Sequence, residues 1–309
     1  MSDAPQLLIV ADGPALWTDT VMALASPHRC TVVVAPDAEI ETSAVEIVVG
    51  APPDLAAIIP RCPQLRWVQS TWAGIDAIAH FASESLRITP LKGVFGPAMT
   101  EYVMGWLLAI ERDVISRASH TQWTPTLEPR ITGKRMGIMG TGGIGTAIAL
   151  AAKPFGLEVI GLNSDGRAVE GFTACYPSTD RLAFAEGLDY LVSVLPHTAQ
   201  TDNVIDHDVL MRLNPGAIVI NAGRGNVLVE ADLIASLNSG HLRAAVLDVF
   251  REEPLPPDDP LWATPGVHIT SHTAGPTPDE AVAEVFERNL KGYLAGEPLT
   301  DALRLGRGY

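Results

Sequence analysis

The chain has 309 residues, 47% of them hydrophobic, and a net charge of −15 at pH 7. That is enough apolar material for one large or two medium cores. The acidic balance argues against a nucleic-acid surface and against an anionic membrane surface, although a few well-placed Arg can still hold an anionic substrate.

Cys30, Cys62 and Cys175 are widely spaced and odd in number, so neither a disulfide framework nor a zinc site is expected, and no metal. The first residues lack a basic n-region, and the longest apolar run, 102–110, is too short to span a bilayer. The reading is a soluble cytoplasmic protein.

In chain order, the first third carries short apolar runs: QLLIVA (6–11), CTVVVA (30–35), EIVVGA (46–51), RWVQST (66–71) and RITPL (87–91). Continuous runs of this length suit strands covered on both faces. Gly96-Pro97 then opens a long helical stretch through about residue 118, with Pro in a favourable first-turn position. Further runs follow: RMGIMG (135–140), LEVIGL (157–162), FTACY (172–176), YLVSVL (190–195), AIVINAG (217–223), AAVLDVF (244–250) and VHITSH (267–272). Thr277-Pro278-Asp279-Glu280 reads as a capping box, starting a helix that runs to about Gly296.

Strand–helix alternation on this scale predicts βαβ units and parallel sheets. Twelve strands are too many for one open sheet. The expected class is α/β, with two Rossmann-like doubly wound parallel-sheet domains and a cleft between them as the default ligand site. The long helices at 97 and 277 would carry the chain over and back. Residues 1–96 and 277–309 then form one domain and 97–276 the other.

Gly140, Thr141, Gly142, Gly143, Ile144 and Gly145 form a GxGxxG turn between a predicted strand and a predicted helix. That context supports a dinucleotide, with its pyrophosphate on the free N–H groups of the helix start. A ligand-free glycine turn and a methyltransferase loop are the competing readings. The ribose ligand of an NAD site is an acid at the end of the next strand, but Asn163 stands there. Asn163 removes the repulsion of a 2′-phosphate, while Ser164 and Arg167 offer a hydroxyl and a guanidinium. These favour NADP(H) over NAD(H). Asp165 points the other way if it turns to the ribose. On this reading Asn163→Asp should alter the NADPH/NADH preference.

Arg224, Glu253 and His272 follow three later strands, and ligands bind at the carboxyl ends of parallel strands. Singly, each reads as a surface charge or a structural His. Together they suit reduction of a 2-keto acid. An Arg holds the carboxylate, a His supplies the proton, and a carboxylate orients the ring.

The chain resembles the D-isomer-specific 2-hydroxyacid dehydrogenases over nearly its whole length, through STWAGID (70–76), GTGGIG, VSVLPHTAQT (192–201), INAGRGNVLVEADL (220–233), LDVFREEPLPPDDPLW (247–262) and HITSHTAG (268–275). The resemblance implies Arg224, Glu253 and His272 as the catalytic set. It implies a substrate carboxylate held by the backbone of Ala73 and Gly74, with Trp72 beside it. It also implies a cofactor lying along Leu195, Pro196, Thr201, Ala222, Gly223, Asp248, His272 and Gly275, with Asp248 on the carboxamide.

QWTPTLEPRITGKRMGIMG and the terminal RGY look like the glyoxylate/hydroxypyruvate reductases of that family. Two departures stand out: Ser271 where Pro is usual, and Trp72 where smaller residues are common. Glu253 speaks against a formate dehydrogenase, which has Gln there. The implied activity is reversible, NADPH-dependent reduction of a small 2-keto acid by a homodimer. A cofactor-sensing corepressor on the same fold is the alternative.

Overall fold

The computed structural model describes residues 5–10, 16–25, 29–33, 41–123, 125, 127, 129–299 and 301–303. The terminal RGY lies outside them. The chain divides into two compact units, Met1–Val94 with Thr277–Tyr309, and Phe95–Pro276.

The first unit contains β1 (Gln6–Val10), β2 (Arg29–Val33), β3 (Val45–Gly50), β4 (Trp67–Ser70) and β5 (Arg87–Thr89). They form one sheet in the order β2-β1-β3-β4-β5, and every pairing is parallel. The runs are continuously apolar because alternate residues serve opposite faces. Leu8, Val10 and Val48 pack with Leu55 and Ile58 on one side. Leu7, Ile9 and Ile47 pack with Phe286 and Leu290 on the other.

The helix Asp279–Leu294 returns from far along the chain to cover that second face. The Trp67 ring stacks on Phe286, with centroids 5.7 Å apart, and on Tyr293, at 5.3 Å. Asn289 Nδ2 donates to the buried Gln69 Oε1 at 2.8 Å, which removes a polar pair from water without leaving it unsatisfied.

The second unit contains β6 (Arg135–Met139), β7 (Glu158–Asn163), β8 (Ala174–Pro177), β9 (Tyr190–Ser193), β10 (Ala217–Asn221), β11 (Leu242–Leu247) and β12 (Val267–Ile269). Their order is β12-β11-β10-β9-β6-β7-β8. The topology reverses between β6 and β9, and such a switch point is where open α/β sheets bind ligands. Each of the twelve apolar runs read from the sequence overlaps a strand. The α/β class with two Rossmann-like parallel sheets is what the structure shows. No helix among the described residues is long and apolar enough to cross a membrane.

Two local expectations are corrected. The stretch from 97 is not one helix: Gly96–Glu111 ends and Val114–Arg117 restarts. Glu111 is drawn into the sheet by Lys134 at 2.9 Å, Arg243 at 2.8 Å and the Tyr190 hydroxyl at 2.8 Å. Asp113 then turns left-handed, at φ 51°, and breaks the axis. The capping box at Thr277 does not form either. Pro278 keeps ψ at 122° and itself occupies the N-cap, so the helix begins at Asp279 without a side-chain cap. It stops as foreseen, with Gly296 left-handed at φ 71° just past the end.

Truncating Phe286 would open a cavity against Trp67. We expect Phe286→Ala to lower unfolding stability by about 3–5 kcal/mol, measured as the shift in urea midpoint at unchanged slope. A loss within the noise would show that the returning helix does not hold this sheet.

Candidate active site

The glycine turn lies at the switch point of the second unit. Gly140 takes φ +102°, and a Cβ on it would sit 3.2 Å from the Val194 carbonyl oxygen. At Gly145 a Cβ would come within 1.9 Å of the Gly140 oxygen, so any side chain would push helix Gly143–Ala152 off β6. Gly142 and Gly143 differ: an added Cβ meets nothing within 4 Å. No side chain caps this helix. Its first backbone bond runs from Thr146 N to Gly142 O at 2.9 Å, which leaves the N–H groups of Gly143, Ile144 and Gly145 ahead of the ladder. Close approach below and open space above fit a pyrophosphate. Thr141 is buried, with its hydroxyl accepting from Asn163 Nδ2 at 3.1 Å, so its side chain is part of the support for the turn.

Asn163 ends β7 and is buried. Its Oδ1 accepts from Asp165 N at 3.3 Å and Gly166 N at 2.7 Å. Its Nδ2 also donates to the Arg167 carbonyl, at 2.9 Å. Both amide groups are engaged in closing and anchoring the 163–167 turn, so Asn163 supports the turn as well as leaving the strand end without a charge. Ser164, Asp165 and Arg167 are the exposed side chains the turn presents. An Asp at 163 would lose both Nδ2 donations and so disturb the turn as well as add a charge, which makes Asn163→Asp an unclean test of cofactor choice.

Three neighbouring strands, β10, β11 and β12, carry Arg224, Glu253 and His272 just beyond their carboxyl ends. His272 Nδ1 meets Glu253 Oε2 at 2.8 Å, with both side chains solvent-accessible. The other Glu253 oxygen accepts from Phe250 N at 2.9 Å, so the carboxylate is aimed by its own loop. His272 is left-handed at φ 56°. A β-carbon in that region is strained, and the surrounding structure must over-determine it.

Asp248 supplies that support. It is 1% exposed. Its Oδ1 accepts from the Thr270 hydroxyl at 2.6 Å and Thr273 N at 2.8 Å, and its Oδ2 from Ala274 N at 2.9 Å. His272 N donates to the Asp248 carbonyl at 2.8 Å. Asp248 therefore holds the loop that presents His272. The Tyr102 hydroxyl bonds Thr270 Oγ1 at 2.7 Å. Burial pushes the Tyr102 phenol up to about 12, so it stays neutral.

Arg224 Nη1 donates to the Gly223 carbonyl at 2.8 Å, and Asn221 Nδ2 closes the turn onto the Arg224 carbonyl at 2.9 Å. Gly223 lies against Leu195, where a Cβ would meet its oxygen at 2.6 Å. Thr201 Oγ1 bonds the Pro196 carbonyl at 2.7 Å and folds the 196–201 loop. Ala222 N reaches Ser193 O at 3.0 Å. Gly275 fits beneath Met99, whose sulfur would be 3.1 Å from a Cβ. Gly223 and Gly275, having no side chain, let the adjacent segments touch.

Arg251 was missed from the sequence, where it reads as one charge in a run of three. Its guanidinium bonds Asn203 Oδ1, the Asn226 carbonyl at 2.8 Å and the Leu228 carbonyl at 3.0 Å. It thereby ties the loop of Arg224 to the loop of Glu253. Gly225 permits this, since a Cβ there would overlap the Phe250 carbonyl carbon at 1.9 Å.

In the first unit, the loop after β4 is pinned by Ser70. Its hydroxyl accepts from Trp72 N and donates to the Trp72 carbonyl, both at 3.0 Å. Leu91 N also reaches that carbonyl, at 2.9 Å. The Trp72 side chain is 46% exposed. The amides of Ala73 and Gly74 donate to no acceptor among the described residues, which suits them to an anion.

The chain resembles known proteins along most of its length. Residues 105–274 match the model of the D-isomer specific 2-hydroxyacid dehydrogenase, NAD binding domain. A glyoxylate/hydroxypyruvate reductase A from Yersinia enterocolitica is 35% identical over 80% of this chain and 82% of its own. The crystal structure of a D-isomer specific 2-hydroxyacid dehydrogenase family protein from Aeromonas salmonicida superposes with a TM-score of 0.87 at 33% identity, covering 97% of this chain and 99% of that one. An NADPH-dependent glyoxylate/hydroxypyruvate reductase from Sinorhizobium meliloti, solved with NADP and sulfate, gives 0.85 at 27% identity over 99% and 100%. With the glycine turn, the His–Glu pair and the Arg on one sheet edge, this places the chain in the D-isomer-specific 2-hydroxyacid dehydrogenase family.

Proposed function

We propose that the protein reduces small 2-keto acids to D-2-hydroxy acids with NADPH, reversibly, and that glyoxylate and hydroxypyruvate are within its substrate class. The observation that carries this is the His272–Glu253 pair, 2.8 Å apart on the carboxyl edge that also bears Arg224. The Yersinia and Sinorhizobium relatives bear the names of such reductases, and the latter holds NADP. The second unit is the dinucleotide domain on this reading, and the first the substrate domain. A cytoplasmic homodimer is part of the same proposal.

When bound, the nicotinamide supplies the hydride. The chain supplies the rest. The Arg224 guanidinium takes the substrate carboxylate and polarises the adjacent carbonyl, and the N–H groups of Ala73 and Gly74 in the first unit are themselves suited to a carboxylate. Glu253 occupies Nδ1 of His272, which leaves Nε2 to deliver a proton to the carbonyl oxygen. Asp248 and Thr270 keep the His loop in place, and Gly143 to Gly145 receive the pyrophosphate. Ser164 and Arg167 face the adenosine ribose.

The test is oxidation of NADPH, followed at the nicotinamide absorbance band, with glyoxylate, hydroxypyruvate and phenylpyruvate. Turnover supports the reductase. Tight NADPH binding with no turnover on any of the three would favour the cofactor-sensing alternative. His272→Ala should lower kcat by about 10²–10⁴-fold, and unchanged turnover would rule the proton donor out. Arg251→Ala should lower kcat/KM by roughly 10–100-fold through misplacement of Arg224 and Glu253, with melting temperature and NADPH affinity near those of the wild type. A fall in NADPH affinity alone would show that Arg251 serves the cofactor loop instead.

A further inference from the structure

The 163–167 turn contains an ion pair that the proposed chemistry does not use. Asp165 Oδ1 accepts from Arg167 Nη1 at 2.8 Å and from Arg167 N at 3.4 Å. Both side chains are well exposed, and no other carboxylate among the described residues pairs with this guanidinium. The pair is a product of the turn's closure. Asn163 bonds the backbone of residues 165, 166 and 167 and anchors the turn to Thr141 in the glycine loop. Gly166 completes it at φ +73°, with room for no Cβ against Pro177, whose Cδ would lie 2.9 Å away. Asp165 is thereby directed at Arg167, two residues beyond the strand end where a ribose-binding acid would stand.

We propose that Asp165 competes with a ribose 2′-phosphate for Arg167, and that this competition sets how strongly the protein prefers NADPH over NADH. The inference rests on the NADP reading above. A phosphate monoester draws the guanidinium fork bidentately. Here one arm of the fork already holds a carboxylate. To be bound, the phosphate must displace Asp165 or approach it as a like charge. NADH has no such phosphate and leaves the pair intact. Desolvation raises the Asp165 carboxyl pKa, but hydrogen bonds from the Arg167 backbone and guanidinium, with the guanidinium charge, together outweigh it and hold it below the usual range. The competitor is therefore charged at neutral pH.

The experiment titrates the binary complexes by nicotinamide fluorescence, with no substrate present. Asp165→Asn keeps the size and one acceptor oxygen and removes the charge. It should lower the Kd for NADPH by about three- to fivefold, the upper part of the range of a screened surface pair, while the Kd for NADH stays within about 1.5-fold. The gain should shrink at 0.5 M salt, where exposed charges are screened within about 4 Å. It should also vanish in an Arg167→Ala background, because the competition is for that guanidinium.

Weaker or unchanged NADPH binding in Asp165→Asn, with NADPH affinity still dependent on Arg167, would overturn the competition alone. Loss of NADH affinity would put Asp165 on the ribose and overturn it as well. A wild type that binds NADH as tightly as NADPH, indifferent to Arg167→Ala, would overturn the NADP reading and this inference with it.

Discussion

The carboxylate of Asp248 is withdrawn from water, and a buried charge persists only where its lone pairs are filled. Here they are filled by Thr270, Thr273 and Ala274 from the segment after β12. That single requirement fixes the path of the Thr270–Ala274 loop, and the path in turn forces His272 into the left-handed region. From there its ring meets Glu253. The usual Pro before the His is Ser271 in this chain, so local stiffness has to come from elsewhere. The Tyr102–Thr270–Asp248 chain of hydrogen bonds provides it from a helix far away in sequence.

Around this anchor, glycines allow backbones to touch. Gly145 against Gly140, Gly223 against Leu195 and Gly225 against Phe250 each leave no space for a β-carbon. They bring the ends of β6, β9, β10 and β11 into one rim. Gly142 and Gly143 are of another kind, because they open outward. The distinction separates glycines that pack the protein from glycines that admit a ligand, and a consensus pattern treats the two alike.

The strands were legible because a parallel sheet covered on both faces needs apolar residues at every position, a signal with little ambiguity. Glu253 and His272 were legible only as a set, through the resemblance of the surrounding motifs. Asn163 was located, but its structural task was not read. From sequence, its absent charge speaks of a ligand, whereas in the fold its amide closes a turn. Asn-Ser-Asp-Gly after a strand is itself a turn signature, and Asn221 repeats the device at the end of β10. Arg251 and Tyr102 had no signal of their own, since a loop Arg and a helix Tyr become meaningful only when distant backbone reaches them. At Pro278, a fixed φ suits both an N-cap and a first helical residue. The choice between them rests on ψ, which the proline ring leaves free.

The returning helix Asp279–Leu294 also governs the order in which the chain can fold. The second unit, Phe95–Pro276, is one continuous segment and has all its strands as soon as that segment has left the ribosome. The first unit begins earlier and finishes later. One face of its sheet is covered only in part, by Val21 and Met22, until Phe286 and Asn289 arrive, and the Gln69–Asn289 bond spans 220 residues. Local contacts form fast and distant ones slowly. The sheet of the first unit is thus synthesised before the second unit and sealed after it, and it carries a partly uncovered apolar face while the second unit is made.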